Sequence, residues 1–399
     1  MHQQREDALR LAAAFSRRRF LCNTGLGIAG VASGVLLDAC GSSTSPAAGS
    51  NSKSTPVSGM AALIAAANKE KAINLIALPS DWSNYGTAST PGTVIGDFHT
   101  KYPNISISSA APDDSSAEEL TAIKVDKGNS KEPDVVDVSP AVAATGATGG
   151  DFAPYKVQTW ADIPANMKES SGLWYGDYYG VISFGTNTKV VSSPPLDWSD
   201  LTKPEYKGKV AIDGNPASAG DAFAAVWAAA LHNGGSLDNI NPGLQFFADL
   251  KKAGNFNPTD CYPANIASGE TPIAIIWDYL NLAYKKQYPT INYSVSIPTS
   301  GKFGNFYCQA ISSSAPNPSS ARLWEEFVYS DQGQLLYLAG YAHPARYEAL
   351  ANAGKIPASL SALLPPASEY VGVQFPNLDQ INKASAYVVA NWDKMVGGS

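Results

Sequence analysis

The chain has 399 residues, of which 44% are hydrophobic, an ordinary proportion for a folded globular protein. Its 28 Lys and Arg stand against 35 Asp and Glu, which gives a formal net charge of −7 at pH 7. Because phosphate contacts need clustered Lys and Arg, this acidic balance argues against nucleic acid as a partner.

The N-terminal stretch SRRRFLCNTGLGIAGVASGVLLDACGSS, residues 16–43, has a basic start, a short apolar middle and small residues before Cys40. This is the order of regions in an export signal, and the apolar part is shorter than the roughly 20 residues that span a bilayer. Residues 16–21 resemble the twin-arginine signal, and residues 37–41 resemble a bacterial lipobox. We predict an export signal over residues 1–40 and lipidation of Cys40; the alternative is a retained signal anchor with an ordinary thiol.

The following segment, residues 41–59, is rich in Ser, Gly and Pro and nearly uncharged. It cannot bury enough apolar surface to fold, so we predict a flexible tether. Without residues 1–40 the chain keeps 23 Lys and Arg against 32 Asp and Glu, a net charge of −9. The remainder is long enough for about two domains.

The first part of that remainder alternates short apolar runs with segments of helical spacing, which predicts an α/β fold with a mostly parallel sheet. Ser115 and Glu118 form a capping-box pattern at the start of one helix. The predicted helices span residues 60–71, 92–103 and 115–128, and the predicted strands span residues 73–78, 105–108 and 133–139.

The second part of the remainder begins with a long strand at residues 180–191, which Gly185 is expected to interrupt. Two helices at residues 318–340 are expected to divide near Ser330. The other predicted elements are a helix–turn–strand at 196–212, helices at 218–235 and 241–255, a strand then a helix at 271–286, and strands at 292–301 and 305–316. Whether Cys261 and Cys308 pair is left open.

Four stretches in this order carry a resemblance to a known family. They are WSDLTKPEYKGKVAI (198–212), NGGSLDNINPGLQFFADL (233–250), GETPIAIIWDY (269–279) and APNPSSARLWEEFVYSDQGQ (315–334). Residues 72–399 resemble the extracellular solute-binding proteins of bacterial ABC importers, in the branch that includes polyamine, ferric-iron and phosphonate binders.

The resemblance implies two α/β lobes with a ligand cleft between them, joined by crossing hinge strands at residues 180–191 and 292–301. Residues 60–183 and 297–340 would form lobe 1, and residues 184–296 and 341–399 lobe 2. Such a protein would be an exported cell-envelope lipoprotein and a monomer that closes around a small molecule and delivers it to the membrane subunits of an importer. No cofactor and no metal are expected.

The predicted ligand site lies in the loops that follow strands, where open α/β sheets bind ligands. Trp82 and Tyr85 form a Trp-x-x-Tyr that is similar to polyamine binders, and a tryptophan face attracts cations. Those relatives carry an aspartate where Gln309 stands, so Asp81, Asp221 or Asp278 should supply the counter-charge. The predicted ligand-binding residues are Asp81, Trp82, Tyr85, Ser139, Asp221, Trp277, Asp278, Tyr279, Tyr307, Gln309 and Tyr341.

A polyamine-like amine is therefore the expected ligand, with a sugar, a phosphonate or ferric iron as alternatives. The polar loop at residues 215–220 would suit an anion before a helix. Ferric-iron relatives carry adjacent tyrosines where this chain has Tyr279 alone. Other classes are a ligand-sensing lipoprotein and a secreted hydrolase; the sequence has no nucleophile-elbow, zinc-protease or phosphate-loop motif, so no enzyme is expected.

Overall fold

The structure is a computed structural model, and it describes residues 59–112 and 114–397. The predicted export signal, Cys40 and the tether up to residue 58 lie outside the described residues. No helix in the described ranges is long and apolar enough to span a membrane.

Helices and short strands alternate through most of the described chain. The strands are β1 (Ala72–Ile76), β2 (Ser106–Ala110), β3 (Val135–Val138), β4 (Phe152–Ala153), β5 (Tyr175–Asn187), β6 (Val210–Ile212), β7 (Ile273–Trp277), β8 (Tyr293–Ser296), β9 (Gly304–Ser312) and β10 (His343–Pro344). The α-helices are α1 (Met60–Glu70), α2 (Val94–Lys101), α3 (Ser116–Val125), α4 (Pro140–Gly149), α5 (Gly220–His232), α6 (Asn241–Ala253), α7 (Pro263–Ser268), α8 (Asp278–Gln287), α9 (Pro318–Val328), α10 (Asp331–Ala339), α11 (Tyr347–Asn352), α12 (Ala358–Ser361) and α13 (Leu378–Trp392). Short 3₁₀ turns lie at Trp160–Asp162, Ala165–Met167, Trp198–Thr202, Pro204–Tyr206, Pro289–Ile291 and Ala367–Tyr370, and a π turn at Asp393–Gly397.

Local capping chemistry sets several of these boundaries. The backbone N–H of Ser115 donates to Glu118 Oε2 at 2.7 Å, as the capping-box pattern predicts for the start of α3. Ser330 Oγ accepts from the backbone N–H of Gly333 at 3.1 Å, so a new helix begins after residue 330. The predicted division between α9 and α10 is confirmed.

Two sheets organise the described part of the chain. Strands β1 and β2 form a parallel pair, and the backbone N–H of Asp134 beside β3 donates to the carbonyl of Asn74 in β1 at 2.9 Å. The larger sheet has the strand order β3-β9-β5-β7-β6, with β4 on β9 and with β8 and β10 on β5. Its pairings are antiparallel except for β6 with β7, so the expected parallel arrangement holds for β1 with β2 but is wrong for the larger sheet. The reason is that β5 and β9 run in opposite directions through its centre.

Strand β5 is the element that crosses the molecule. Its N-terminal half pairs with β9 and β10, and its C-terminal half, from Ile182 onward, pairs with β7 and β8. The strand is continuous over 13 residues, so the expected interruption at Gly185 does not occur. A Cβ at Gly185 would lie 2.0 Å from Asn281 Oδ1 and from the Tyr293 hydroxyl oxygen, so the glycine permits close packing inside a continuous strand.

The C-terminal segment, residues 341–397, contacts β5 and also helices on either side of it in the sequence, α4 and α6. Strand β10 pairs with Tyr178 and Tyr179 of β5, while α13 packs against α6 and α4. The Trp392 ring lies edge-to-face on Phe247, with centroids 5.8 Å apart. The predicted lobe boundaries place all of residues 341–399 in lobe 2; these boundaries stay a prediction.

The core of the second half of the chain forms around α5, which is buried on nearly every side. Alanines from Ala222 to Ala230 let neighbouring elements approach the helix closely. Cys261 and Cys308 are both buried free thiols in the structure.

Candidate ligand site

Four aromatic side chains meet beside the crossing strand β5. We call Trp82, Tyr178, Tyr279 and Tyr307 the aromatic cluster. The Trp82 ring lies edge-to-face on Tyr279 and on Tyr307, with centroids 5.7 and 5.8 Å apart. Tyr178 stacks on Tyr307 at 5.6 Å, and Trp82 Nε1 donates to the Tyr178 hydroxyl at 2.7 Å. Residues far apart in sequence, three of them predicted, therefore form one aromatic surface.

The loop that carries Trp82 has an unusual backbone. Ala77, Ser83 and Asn84 have φ values of 54°, 46° and 61°. These values lie in the left-handed region, which residues other than Gly and Asn rarely adopt. Asn84 Nδ2 holds the loop by donating to the carbonyl of Leu336 at 2.9 Å and of Gly92 at 3.0 Å. Such conformations cost about 1–3 kcal/mol each and cluster at functional sites.

A second turn with positive φ lies against this loop. Tyr341 has φ 69°, and a Cβ at the preceding Gly340 would lie 2.5 Å from the Cβ of Asn84. The close contact therefore requires glycine at position 340. The Tyr341 ring is half-buried, and the described ring contacts of the aromatic cluster do not include it.

The start of α5 also approaches the aromatic cluster. A Cβ at Gly220 would lie 3.5 Å from the Tyr307 hydroxyl. The next residue, Asp221, is buried, and its Oδ1 accepts from the backbone N–H of Ala222 at 2.9 Å. Burial, followed by the charge of Asp221, raises the pKa of Tyr307. Of the predicted counter-charge residues, Asp221 is therefore the one that acts most strongly on Tyr307.

A pair of buried carboxyl groups, Asp137 and Asp177, lies beneath the aromatic cluster; we call it the acid pair. The Tyr85 hydroxyl is 2.8 Å from Asp137 Oδ2 and 3.2 Å from Asp177 Oδ2. Tyr178 also donates to Asp137 Oδ2, at 3.1 Å, and Tyr337 donates to Asp177 Oδ2 at 2.9 Å. Tyrosine hydroxyls thus connect the two carboxyl groups to each other and to the rings above.

Gln309 belongs to this buried network. Its Nε2 donates to Asp177 Oδ2 at 3.0 Å, and its Oε1 accepts from Trp324 Nε1 at 3.0 Å. In the β3–β9 register, Gln309 lies directly opposite Asp137. A carboxylate therefore stands on the neighbouring strand, opposite the position where polyamine binders are expected to carry one.

Burial dominates the electrostatics of the acid pair. It raises the pKa of Asp177 to about 6, against the hydrogen bonds from Tyr337 and Gln309 that lower it. The pKa of Asp137 is raised well above its ordinary value by burial and then by the charge of Asp177. Carboxyl groups next to each other in a buried site favour the retention of a proton.

The charged groups that act most strongly on the aromatic cluster are all acidic. Burial raises the pKa of Tyr178, and Asp137 adds to the effect. For Tyr279 the acidic contributors are Asp221, Asp278 and Asp137, after burial and Tyr307. The cluster therefore lies in a region of negative potential, which attracts a positively charged group.

Asp278 is used at the hinge. Its Oδ1 accepts from the backbone N–H groups of Val181 and Tyr279, both at 3.0 Å, and its Oδ2 accepts from the Tyr370 hydroxyl at 2.9 Å. His343 Nε2 lies 3.6 Å from the same Oδ2. The fully buried carboxylate thus joins the crossing strand to the C-terminal segment.

The remaining predicted residues lie around this centre. Trp277 is buried and stacks on Tyr279 at 6.4 Å, next to the rings of the cluster. Asp81 is exposed in the Trp82 loop, and Tyr85 lies in the acid network below. Ser139 is half-buried directly before α4, and its backbone N–H donates to Ser116 Oγ at 3.0 Å.

Sequence reasoning did not include Asp137, Asp177, Tyr178 or Tyr337 among the site residues. A usable signal existed, because Asp137 and Asp177 interrupt the runs PDVVDVS and GDYYGV, which read as strands. A charged residue in a buried strand needs partners, and such residues mark functional networks more often than exposed ones do. Among the described residues, no group of three or more His, Cys, Asp and Glu is placed to hold a metal ion.

Solved structures of binding proteins share this fold. AfuA from Actinobacillus pleuropneumoniae, a periplasmic binding protein with exogenous fructose-6-phosphate bound, is 18% identical with a TM-score of 0.61 over 82% of this chain and 98% of AfuA. Iron-bound HitA from Pseudomonas aeruginosa is 18% identical, with a TM-score of 0.61 over 82% of this chain and 99% of HitA. The Atu4243–GABA receptor is 15% identical, with a TM-score of 0.61 over 81% of this chain and 96% of the receptor. At these identities the likeness shows the two-lobe fold alone.

No curated protein sequence matches the chain significantly. The model of the family described as bacterial extracellular solute-binding protein, however, matches residues 131–384, from before β3 to within α13. That range is more than half of the chain, and it contains β5 together with the strands that pair with it, β7, β8, β9 and β10. The chain therefore belongs to the bacterial extracellular solute-binding proteins.

Proposed function

We propose that this protein captures a small organic cation, a polyamine-like amine, in the interlobe cleft and delivers it to an ABC importer. The observation that carries the proposal is the acidic surrounding of the aromatic cluster. After burial, Asp137 acts most strongly on Tyr178 and Asp221 on Tyr307, while Asp221, Asp278 and Asp137 act on Tyr279 after Tyr307. An ammonium group is the ligand chemistry that such a site favours.

The rings and the carboxyl groups have complementary tasks in this proposal. An ammonium group over an aromatic face gains about 0.5–2 kcal/mol, and more when water is excluded. Removing it from water is costly unless a carboxylate compensates its charge. Asp221 supplies that carboxylate from the lobe 2 side. The buried Tyr279 hydroxyl, which has no hydrogen-bond partner among the described residues, supplies an acceptor.

The bound groups of the structural neighbours define the competing ligands. A sugar phosphate, as in AfuA, would bring negative charge to an acidic region. Ferric iron, as in HitA, would need phenolate oxygens, yet burial raises the pKa of Tyr178 and Tyr279 and disfavours ionisation. GABA, as in the Atu4243 receptor, carries an ammonium group and so shares the proposed chemistry in part.

A thermal-shift panel tests the ligand class. Putrescine, spermidine, GABA, a neutral sugar, a sugar phosphate, a phosphonate and ferric citrate are added in turn to the mature protein. A ligand at 100 times its dissociation constant stabilises the fold by about 2.7 kcal/mol. We expect shifts with the amines, and recovery of the amine unchanged, because the protein is proposed to bind without catalysis. Shifts only with the sugar, sugar phosphate, phosphonate or iron would contradict the amine proposal.

The proposal also places the protein on the extracytoplasmic face of the membrane, as a monomer held by lipid on Cys40. Cys40→Ala should release the protein or leave an unprocessed precursor, which cell fractionation detects. Processing and membrane fractionation identical to the wild type would contradict the anchor.

Export is proposed to use the route for folded proteins because of Arg17 and Arg18. Arg19 could replace a neighbour, so the triple substitution of residues 17–19 to Lys is the appropriate variant. We expect this variant to remain in the cytoplasm. Normal export would contradict this route and leave the ligand proposal untouched.

A further inference from the structure

The acid pair has the geometry of two carboxyl groups that cannot both ionise at low cost. One hydroxyl, that of Tyr85, approaches Oδ2 of Asp137 and of Asp177, at 2.8 and 3.2 Å. Asp137 is 6% exposed, and its Oδ1 has no hydrogen-bond partner within the described ranges. A buried carboxylate oxygen without a donor is costly as an anion, whereas a neutral carboxyl group tolerates it better.

The groups that face the pair are acids and neutral donors. Glu119 on α3 accepts from the backbone N–H of Asp137 at 3.0 Å, and buried Glu325 on α9 adds its charge to Asp137 and Asp177. The titratable groups that face the pair are Tyr85, Glu119, Tyr178, Tyr279, Tyr307, Cys308, Glu325, Tyr329 and Tyr337. These groups supply no positive charge, so a proton is the simplest compensation.

One hydroxyl connects the pair to the proposed ligand position. Trp82 Nε1 donates to the Tyr178 hydroxyl at 2.7 Å, and that hydroxyl donates to Asp137 Oδ2 at 3.1 Å. A cation seated against Trp82 and Tyr178 is therefore separated from Asp137 by a single polarisable group. Its field acts directly on the proton balance of the pair, since the region has low dielectric.

We infer that Asp137 and Asp177 share one proton before the ligand binds and that an ammonium ligand in the aromatic cluster expels it. The inference rests on the proposed function and deepens it. The carboxyl group loses its proton to solvent while the ammonium group seated against Trp82 and Tyr178 brings one positive charge, so the net charge around that ammonium group is unchanged. Asp137 is then a specificity-determining residue, because a neutral ligand cannot replace the proton.

Isothermal titration calorimetry with putrescine tests this exchange. Titrations at pH 6.5, 7.0, 7.5 and 8.0, each in two buffers of different ionisation enthalpy, give the number of protons released. Putrescine remains protonated in this range, since alkyl ammonium groups titrate near pH 10. We expect between about half and one proton released near pH 7. The dissociation constant should fall by up to tenfold for each pH unit while the pair holds its proton.

Asp137→Asn is the matched variant because the amide nitrogen can occupy the place of Oδ1, which has no partner, while the amide oxygen still accepts from Tyr85 and Tyr178. We expect no proton release near pH 7 and a dissociation constant that does not vary with pH. Glu326→Gln is the control. Its carboxyl group also has a raised pKa, but it binds Tyr155 and the backbone N–H of Gln158, outside the described contacts of the cluster. It should behave as the wild type.

The outcomes separate this inference from the proposed function. Putrescine binding by the wild type without proton release, and with a dissociation constant independent of pH, overturns the inference and leaves the proposed function intact. Full proton release in Asp137→Asn overturns the assignment to the acid pair. Absence of binding by any amine overturns the proposed function, and the inference with it. The wild-type titrations decide the first point even if the variant fails to fold.

Discussion

Two buried aspartates beside the large sheet, Asp137 within β3 and Asp278 at the start of α8, are used in opposite ways. Asp278, directly after β7, has both carboxylate oxygens engaged by donors of the hinge. Asp137, in β3, crowds against Asp177 and keeps one oxygen without a partner among the described residues. Residue type and placement near a strand end therefore do not identify the acidic residue whose charge would compensate a cationic ligand. What distinguishes the two is whether donors satisfy the charge before any ligand arrives.

The largest effect is expected from Asp278→Ala. The substitution leaves the backbone N–H groups of Val181 and Tyr279 and the Tyr370 hydroxyl without their acceptor in a buried hinge. We expect a loss on the order of 4 kcal/mol in the free energy of unfolding, measured by urea denaturation. Asp81→Ala, an exposed residue in the Trp82 loop, is the control and should change stability by less than about 0.5 kcal/mol. Equal effects of the two variants would contradict a structural role for Asp278.

The acid pair predicts a stability that depends on pH. Burial raises the pKa of Asp177 from 3.8 to about 6, so between these values the folded protein keeps on Asp177 a proton, additional to the one held on Asp137, that the unfolded chain has lost. The stability due to this proton is fully present below about pH 4 and is lost as pH rises through about 6. The difference of about two pKa units corresponds to roughly 3 kcal/mol.

Asp177→Asn removes that titration. The free energy of unfolding of the wild type minus that of the variant should therefore fall by roughly 3 kcal/mol between pH 4 and pH 7.5. Urea denaturation at several pH values measures it, with Asp81→Asn as the exposed control. A difference that rises with pH would show that Asp177 is held as an anion, as Asp278 is by its donors.

Trp82→Ala should weaken putrescine binding by roughly two- to thirtyfold, because the ammonium group loses an aromatic face worth about 0.5–2 kcal/mol. Trp160→Ala is the matched control. Trp160 is also half-buried and packs edge-to-face on a tyrosine, Tyr175, but it has no described contact with the aromatic cluster. Calorimetry should show its affinity within twofold of the wild type. A comparable loss in both variants would argue for a general effect on folding.

The smallest effect is expected from backbone strain at Ser83, in the loop that carries Trp82. Ser83 has φ 46°, and its buried Oγ has no hydrogen-bond partner among the described residues. Ser83→Gly relieves the conformational cost and removes the buried hydroxyl, against a larger loss of chain entropy. We expect a gain of about 0.5–1 kcal/mol in the free energy of unfolding, visible as a higher melting temperature. A loss of more than about 1 kcal/mol would mean that the loop does not store strain at Ser83.

The sequence alone determined most of the local structure of this protein. The capping box at Ser115, the division of α9 from α10 at Ser330 and the apolar runs that became β1, β3 and β7 depend on residues within a few positions of each other. For the same reason the sequence indicated Trp82, Tyr279 and Tyr307, because each lies in or beside a recognisable strand or strand end. Family resemblance supplied the two-lobe fold that places those loops around one cleft.

Only the tertiary structure decided which acids lie beside the aromatic cluster and which bind the crossing strand and the C-terminal segment. The antiparallel pairing of β5 with β9 contributed to a mainly antiparallel large sheet, and the pairing of β3 with β9 set Asp137 opposite Gln309. The partners that distinguish Asp278 from Asp137 are separated from them by 41 to 97 residues in the chain, apart from the adjacent Tyr279. Local patterns carry no information about such contacts, because burial and hydrogen-bond satisfaction arise only when distant segments pack together.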